Sequence, residues 1–291
     1  MLGFLLTFLV LISILSGQFI EKYSVDLFGK NLDTVVIIKF TALVVVDFVN
    51  IVMPISIFVM AALYHRKLFR SGKTTIKYKS ALLVTTIISI TCFFFAAFVM
   101  PGNKTRLIGL LYDIQMNDGK SQLERTDLKV FQNSPMCKNY SQLGEAIDSL
   151  SNNLALMDES DSKMQKEITS RMLRKTMLIR SQITGFPFLI FILYYAGMFV
   201  GILNRRNKLV LFLPGIYFII FPGIYYLSYY FENRVKLNLL SATEAQLYYL
   251  SILTLLTIVL YILTKKQQYS HDQTETNKIE TMNQNNFSAF L

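Results

Sequence analysis

Long apolar stretches alternate with short polar segments along this chain. Each stretch holds about 20 residues or more, enough for a helix to cross a bilayer core of about 30 Å. Their apolar runs are continuous rather than alternating, which favours helices over strands. The pattern predicts an all-α polytopic membrane protein with six transmembrane helices, over residues 2–20, 35–64, 80–100, 184–203, 209–231 and 246–264.

The clearest element is a hairpin over residues 184–231, in which two uncharged segments flank the turn Asn204-Arg205-Arg206-Asn207-Lys208. A helix that is apolar on every side is buried in lipid or among other helices. The turn is too short to be a domain, so the two helices are predicted to be antiparallel. Its three positive charges predict a cytoplasmic turn.

Two polar segments divide the chain into a 3+3 arrangement. Residues 1–102 are predicted to hold transmembrane helices 1–3, with the third ended by Pro101-Gly102, and residues 184–264 to hold helices 4–6. Residues 103–183 form a small, mainly helical insertion between helices 3 and 4. The tail, 265–291, has too little apolar content to fold alone and is predicted to be disordered.

The insertion combines two patterns. RLIGLLYDIQM and DLKVF are candidate strands around the Asp118-Gly119 turn signal. From Ser141 onward the pattern is helical, and its last part carries an apolar stripe surrounded by Lys and Arg. Such a basic amphipathic helix lies along headgroups, packs on a partner helix, or is a solvated helix on the protein's own surface; the stripe comprises Met164, Ile168, Met172, Leu173, Ile179 and Ile183.

The distribution of charge predicts the orientation. The predicted cytoplasmic segments 65–79, 204–208 and 265–266 hold eleven Lys and Arg residues, whereas the short opposite loops hold four. This bias places both termini in the cytoplasm and the insertion on the far side. Hydrophobic residues make up 53% of the chain, so the net charge of +10 is explained by lipid and insertion rather than by nucleic acid. No nucleic-acid partner is expected.

Enzyme chemistry has little support in the sequence. The segment Ser71-Gly72-Lys73-Thr74 resembles the end of a phosphate-binding loop, but Lys67 stands where that motif needs a glycine. The two histidines and two cysteines form no catalytic or metal-ligand spacing. We therefore expect no catalytic residue, no metal site and no cofactor.

Polar residues inside the second predicted span form a candidate intramembrane site. Lys39 and Asp47 are eight residues apart and therefore near one helix face, and Asn50 follows one turn later. Lys39 is close enough to the helix end to reach the interface, whereas Asp47 is too deep. Asp47 is either a polar point in a substrate path or a structural group that holds helices together.

Gly197 and Gly201 form a G-x-x-x-G motif in the fourth predicted span. Such glycines permit two helices to approach closely. The alternative is that the spacing arises by chance in a span that tolerates glycine.

Three stretches resemble the lipopolysaccharide-export permease family (LptF/LptG, or YjgP/YjgQ). These are VNIVMPISIFVMAALYHRKL, with a proline midway and a basic exit; FFFAAFVMPGNKTR, which ends a span with a proline; and RMLRKTMLIRSQITGFPFLIFILYYAGMFVGILNRRNK, a helix that leads into a proline-containing span and a basic turn. The resemblance covers about two-thirds of the chain. It is carried by span layout rather than by a catalytic signature.

The resemblance implies a non-catalytic permease subunit of an ATP-binding-cassette exporter in the bacterial inner membrane, with lipopolysaccharide-like lipid as cargo. It also implies a second permease-like subunit and a cytoplasmic ATPase as partners. Two features differ from the family pattern: the insertion is shorter than the family's β-jellyroll, and the 65–79 loop carries no acidic residue. They favour the alternative of an accessory subunit of another envelope complex that keeps the fold without ATPase coupling.

Spans one and five border the lipid gate in that family. The same arrangement here brings positive charges to one outer rim, where they bind an anionic headgroup. The alternative is that these residues anchor their spans at the headgroups, with Glu21 and Glu232 as local partners. The candidate lipid-binding residues are Lys22, Lys30, Lys39, Arg234 and Lys236.

Overall fold

A computed structural model describes residues 2–22, 33–71, 78–116, 134–157, 163–204 and 221–288. Within these ranges there is no strand, which confirms the prediction of an all-α chain. The helices are α1 Leu2–Lys22, α2 Thr34–Arg70, α3 Tyr78–Phe94, α4 Met100–Met116, α5 Tyr140–Leu156, α6 Lys163–Leu203, α7 Phe221–Lys236 and α8 Ala242–Ser288. A π-helical turn, Phe95–Val99, joins α3 to α4, and a 3-10 turn, Pro135–Cys137, precedes α5.

Four helical stretches are long and apolar enough to cross a membrane, and Phe8–Glu21 in α1 is a shorter apolar helix. This agrees with a multi-pass membrane protein. Most of the basic turn and much of the fifth predicted span lie outside the described residues, so the six-helix layout stays a prediction. The four stretches are Val52–Arg70, Ala81–Tyr112, Lys163–Leu203 and Ala242–Lys266.

Helix α2 is the centre of the bundle. Its first turn is capped by Asp33, whose carboxylate accepts a hydrogen bond from the amide of Val35. Along its length it packs on α1, on α4 and on α6. Its interior side chains are fully buried, and Phe40, Val52, Val59 and Ala62 have no measurable exposure.

The helix directions alternate along the chain. Helix α4 is antiparallel to α2, since Leu107, Leu110 and Ile114 pack on Val36, Phe40 and Val44 while Ala81 lies near Ala61. Helix α1 is also antiparallel to α2. Helices α2, α6 and α8 are parallel to one another. The start of α1 and the end of α8 therefore lie at the same end of the bundle.

The prediction that Pro101-Gly102 ends the third span is wrong. The chain stays helical from Tyr78 to Met116, so the predicted boundary between residues 102 and 103 falls inside a helix. A proline inside an α-helix lacks a donor and collides with the carbonyl four residues earlier. The π-helical turn widens the helix just before Pro101 and so accommodates it.

The prediction of a strand over RLIGLLYDIQM is also wrong, because this segment is the second half of α4. Three of its apolar residues, Leu107, Leu110 and Ile114, recur at helical spacing and are buried against α2. A helical stripe on an existing helix outweighs the strand propensity of a short apolar run. The second candidate strand and Asp118-Gly119 lie outside the described residues.

The predicted insertion and the fourth span are one helix. Helix α6 runs for 41 residues from Lys163 to Leu203 and passes through Pro187 without ending. The boundary at 183 is therefore not a structural boundary. The short helix α5 packs on the first half of α6, and together they form the helical extension of the bundle.

The tail also differs from its prediction. Helix α8 continues from the span through Lys265 and Lys266 to Ser288, where disorder was expected. The tail contains no proline or glycine. Once a helix has formed, each added residue avoids the cost of a new nucleus, so a polar segment continues an existing helix more readily than it folds alone.

Candidate functional site

A half-open cavity of about 370 Å³ lies between α2, the π-helical turn with α4, α6, α7 and α8. We call it the bundle cavity. Volumes of 300–1,000 Å³ are typical of small-molecule sites. Its walls are mainly apolar and include Ile55, Met100, Ile183, Leu189, Leu193 and Ile224.

The polar residues of the bundle cavity are few and its charge is of one sign. Lys104 and Lys138 line it, and no acidic residue does among the described residues. Gln182, Ser228 and Gln246 add uncharged hydrogen-bonding groups. An apolar body with a small number of polar groups is the usual design of a ligand site, and here the charged groups select for an anion.

Lys104 forms an ion pair with Asp47 of α2, with 3.8 Å between Nζ and Oδ1. The pair is partly buried, with side-chain exposures of 33% and 26%. Next to it, the Asn103 amide donates a hydrogen bond of 2.9 Å to the Leu43 carbonyl. These polar contacts tie α4 to α2 at the edge of the cavity.

The ion pair is loose. At 3.8 Å it is longer than a hydrogen bond, and Asp47 Oδ1 has no hydrogen-bond partner among the described residues although it is buried. Asp47 itself does not line the cavity. The carboxylate therefore pairs with Lys104 from outside the lining of the bundle cavity.

Lys104 was not among the residues singled out in the sequence. It follows Pro101-Gly102, which indicated the end of a helix and placed the lysine in the insertion. The signal that reveals it is the helical spacing of Leu107, Leu110 and Ile114, which continues the preceding span. Lys39, in contrast, is exposed and does not join Asp47, and the side chain of Asn50 lies outside the described part.

Lys138 enters the cavity from the segment before α5. It is half-buried, and no carboxylate of the described residues lies within ion-pair distance of it. The 3-10 turn, Pro135–Cys137, packs on α4 and α6 and so holds Lys138 in place. Thus, within the described ranges, Lys104 has an ion-pair partner and Lys138 has none.

Contacts at the start of α5 hold this helix on α6. Its capping box joins Asn139 and Gln142 in both directions, at 2.9 Å each. The Arg180 guanidinium lies over the Tyr140 ring at 5.1 Å, and the Tyr140 and Thr184 hydroxyls are 3.2 Å apart. The hydrogen bond to Thr184, and then Arg180, lower the pKa of Tyr140.

The apolar stripe of α6 changes its role along the helix. Met164, Ile168 and Met172 are largely exposed, with Met164 at 73%. Further along, Ile179 and Ile183 line the bundle cavity. The second part of the stripe is therefore internal, whereas for the first part both the interfacial and the solvated interpretations stay open.

The G-x-x-x-G motif lies directly against α2. A Cβ added at Gly197 would collide with the Phe58 carbonyl oxygen, and one added at Gly201 would collide with the Ala62 carbonyl oxygen. Both obstacles are backbone atoms of α2, which cannot rotate away. We call this contact the α2–α6 seam.

The seam is closed at its end by polar contacts. Arg66 Nε donates a 3.1 Å hydrogen bond to the Asn204 carbonyl at the end of α6. A cation at this position also faces the negative end of the helix dipole. His65 is buried beside Tyr194, with Nε2 3.4 Å from the tyrosine hydroxyl. These residues hold the two helices in register.

The proposed rim charges have local partners where they are described. Lys236 pairs with Glu232 at 2.8 Å, and Arg234 donates to the Tyr230 hydroxyl at 2.9 Å while lying over its ring. Helix α1 packs mainly on α2, whereas α7 packs on α8 and α6. The Lys22 side chain and all of Lys30 lie outside the described residues.

No group of three or more His, Cys, Asp or Glu that could hold a metal ion occurs within the described ranges. No family model, no curated protein and no solved structure matches the chain. The function has to be argued from the residues and from the bundle cavity.

Proposed function

We propose that the chain is a non-catalytic permease-type subunit that handles an anionic lipid in the bacterial inner membrane. The observation that carries this proposal is the bundle cavity: an apolar space among membrane-length helices, with two lysines and no acidic residue in its described lining. Such a site favours a molecule with an apolar body and a negative group.

The resemblance to the lipopolysaccharide-export permeases supports the finer proposal. In that arrangement all six predicted spans cross the membrane, both termini are cytoplasmic, and a second permease-like subunit completes the path. The alternation of helix directions, which brings the start of α1 and the end of α8 to one end, is compatible with this layout.

One observation favours the second candidate function, an accessory subunit without ATPase coupling. Helix α2 continues to Arg70 and α3 begins at Tyr78, so little chain remains for a coupling helix between them. The start of the predicted loop is already used by the bundle, because His65 is buried and Arg66 is bonded to Asn204. At this end of α2 the exposed charged residues are Lys67 and Arg70.

Affinity purification of the full chain from native membranes in mild detergent separates the two functions. The permease proposal predicts that an ATPase and a second permease-like chain co-purify. It also predicts that Lys67→Glu with Arg70→Glu weakens ATPase recovery, since both side chains are exposed at the cytoplasmic end. Lys39→Glu at the other end of α2 is the matched control.

Recovery of other envelope proteins, without an ATPase, would replace the permease proposal with the accessory one. Retention of the ATPase by the double variant would show that the end of α2 is not its docking point. Size-exclusion profiles of each variant establish that the bundle is intact.

A further inference from the structure

We propose that the bundle cavity binds one single-chain amphiphile with an anionic head, whose chain lies among the apolar walls and whose head contacts Lys104 and Lys138. The inference deepens the proposed function and rests on it only for the ligand's role as cargo. Binding itself rests on the cavity.

The size of the cavity limits the apolar part of the ligand. Its volume of about 370 Å³ lies at the lower end of the range for ligand sites. It is half-open and lined from several helices, by Ile55 on α2, Leu189 on α6 and Ile224 on α7 among others. The space within it suits one acyl chain.

The charge of the cavity selects the head. Two lysines line it, and among the described residues only Asp47 lies within ion-pair distance of either; it is loosely paired with Lys104 and stands outside the lining. Glu145 shares a neighbouring cavity with Lys138 but forms no ion pair with it. Within the described part of the chain, Lys138 is therefore left without an ion-pair partner. A carboxylate or phosphate at the head supplies it and also accepts charge-assisted hydrogen bonds.

Asp47 sets how strongly the cavity attracts an anion. Its carboxylate is paired with Lys104 and opposes any second anion that approaches the same ammonium. Because Asp47 does not line the cavity, its replacement by asparagine changes the charge without reshaping the walls. The geometry thus predicts opposite effects for the two members of one ion pair.

Photolabelling of the full chain in nanodiscs of zwitterionic lipid tests the inference. The probes are a diazirine-bearing lysophosphatidate and a fatty acid with the same chain, so that a phosphate head and a carboxylate head are compared. A two-chain phosphatidate and a lysophosphatidylcholine are the controls for chain number and head charge. Glycerol 3-phosphate, as competitor, reports whether a phosphate without a chain suffices.

Labelling of cavity peptides by one or both single-chain anionic probes is expected, with at least several-fold less by the two controls. A charge-assisted hydrogen bond corresponds to roughly 10-fold or more in affinity. Lys104→Gln with Lys138→Gln should therefore reduce labelling roughly 10-fold or more. Asp47→Asn should increase it, and Arg106→Gln, at an exposed position of α4, should leave it unchanged.

A shape test avoids dependence on charge. Ile183→Trp fills the cavity from α6 and should abolish labelling, whereas Phe188→Trp, at an exposed position of the same helix, should not. Each comparison requires that the variant keeps the thermal midpoint of unfolding of the unchanged chain. If Ile183→Trp does not fold, Leu189→Trp replaces it, again with Phe188→Trp as the control.

Equal labelling by zwitterionic and anionic probes, or labelling that ignores both lysines, would overturn the inference and indicate ordinary annular lipid. Recovery of an ATPase without any cavity labelling would leave the permease proposal intact and refute only the cavity ligand. Cavity labelling in a chain that never recovers an ATPase would support the cavity ligand and refute the permease proposal.

Discussion

Two stretches of the same face of α6 differ in what they meet. At Gly197 and Gly201 the helix lies directly on backbone carbonyls of α2, with no room for a methyl group. Nearer the start of the helix Ile183 and Leu189, which lie on the same side at helical spacing, border a cavity with two lysines in its lining. The α2–α6 seam is closely packed, whereas the cavity stretch borders an open space with basic residues. One helix face thus serves as scaffold along one stretch and as the wall of a binding site along another.

The difference follows from residue size and charge. Small residues at a four-residue spacing let two helices approach closely along a line. In lipid no hydrophobic force joins helices, so the dispersion contacts that this close approach gives are what stabilise the pair. Nearer the start of α6, larger side chains at the same face border the bundle cavity instead. Changes at the seam should therefore affect stability, and changes at the cavity should affect binding.

The largest effect is expected from Gly197→Ala combined with Gly201→Ala. Each added methyl group meets a backbone oxygen, so we expect each substitution to cost about 1–3 kcal/mol of stability. Alanine is the better helix former, so propensity alone predicts the opposite sign. Reversible unfolding in mixed micelles measures the change.

Gly17→Ala is the matched control, because no atom lies within 4 Å of the added Cβ. It should cost nothing. If the two seam variants are as stable as Gly17→Ala, the close contact between α2 and α6 does not support the fold.

The ion pair should have a smaller effect on stability. Asp47→Asn or Lys104→Met leaves a partly exposed charge without its partner, and we expect a loss of about 1 kcal/mol for each. The double variant should recover part of this loss, because it removes both charges. A double-mutant cycle by the same unfolding assay gives the coupling, and a coupling near zero would contradict the structural interpretation of Asp47.

Gly185→Ala should change stability less than either seam variant. Its added Cβ meets the end of the Gln246 side chain, which can rotate, rather than backbone. The cost should be within about 0.5 kcal/mol. Because Gln246 also lines the cavity, the same variant should alter amphiphile labelling. A loss of stability equal to that of Gly201→Ala would erase the distinction between the seam and the cavity stretch of α6.

The smallest effect is expected at the rim. Lys236→Gln removes an exposed ion pair with Glu232, and Arg234→Gln removes a contact with Tyr230; each should change stability by less than about 0.5 kcal/mol. Only joint neutralisation with Lys22 and Lys30 is expected to reduce lipid crosslinking at the outer rim. Unchanged crosslinking in the fourfold variant would leave anchoring as their role.

The local features could be predicted from the sequence more easily than the site. Continuous apolar runs predicted the membrane-length helices, and the spacing of Gly197 and Gly201 indicated a close contact. The partners Phe58 and Ala62 could not be identified, because nothing in α2 alone marks which face meets a glycine pair. Pro101-Gly102 misled the boundary, since a π-helical turn that absorbs a proline leaves no simple sequence signal.

The cavity could not be predicted because it belongs to no single element. Lys104, Lys138 and Gln246 come from three segments far apart in sequence, and only helix crossing brings them to one space. Single-helix periodicity finds Ile179 and Ile183 as a stripe but does not say whether the stripe faces lipid, water or a void.

Substituted-cysteine reactivity tests the central claim, that α6 is a packed scaffold along one stretch and the wall of a ligand site along another. In a background with the buried Cys92 and Cys137 replaced by alanine, Ser228→Cys reports the cavity and Met198→Cys the packed stretch near Phe69. A small thiol reagent should modify the first and not the second, and lysophosphatidate should slow the first several-fold. Equal rates at both positions, or a Ser228→Cys rate that lysophosphatidate leaves unchanged, would contradict the claim.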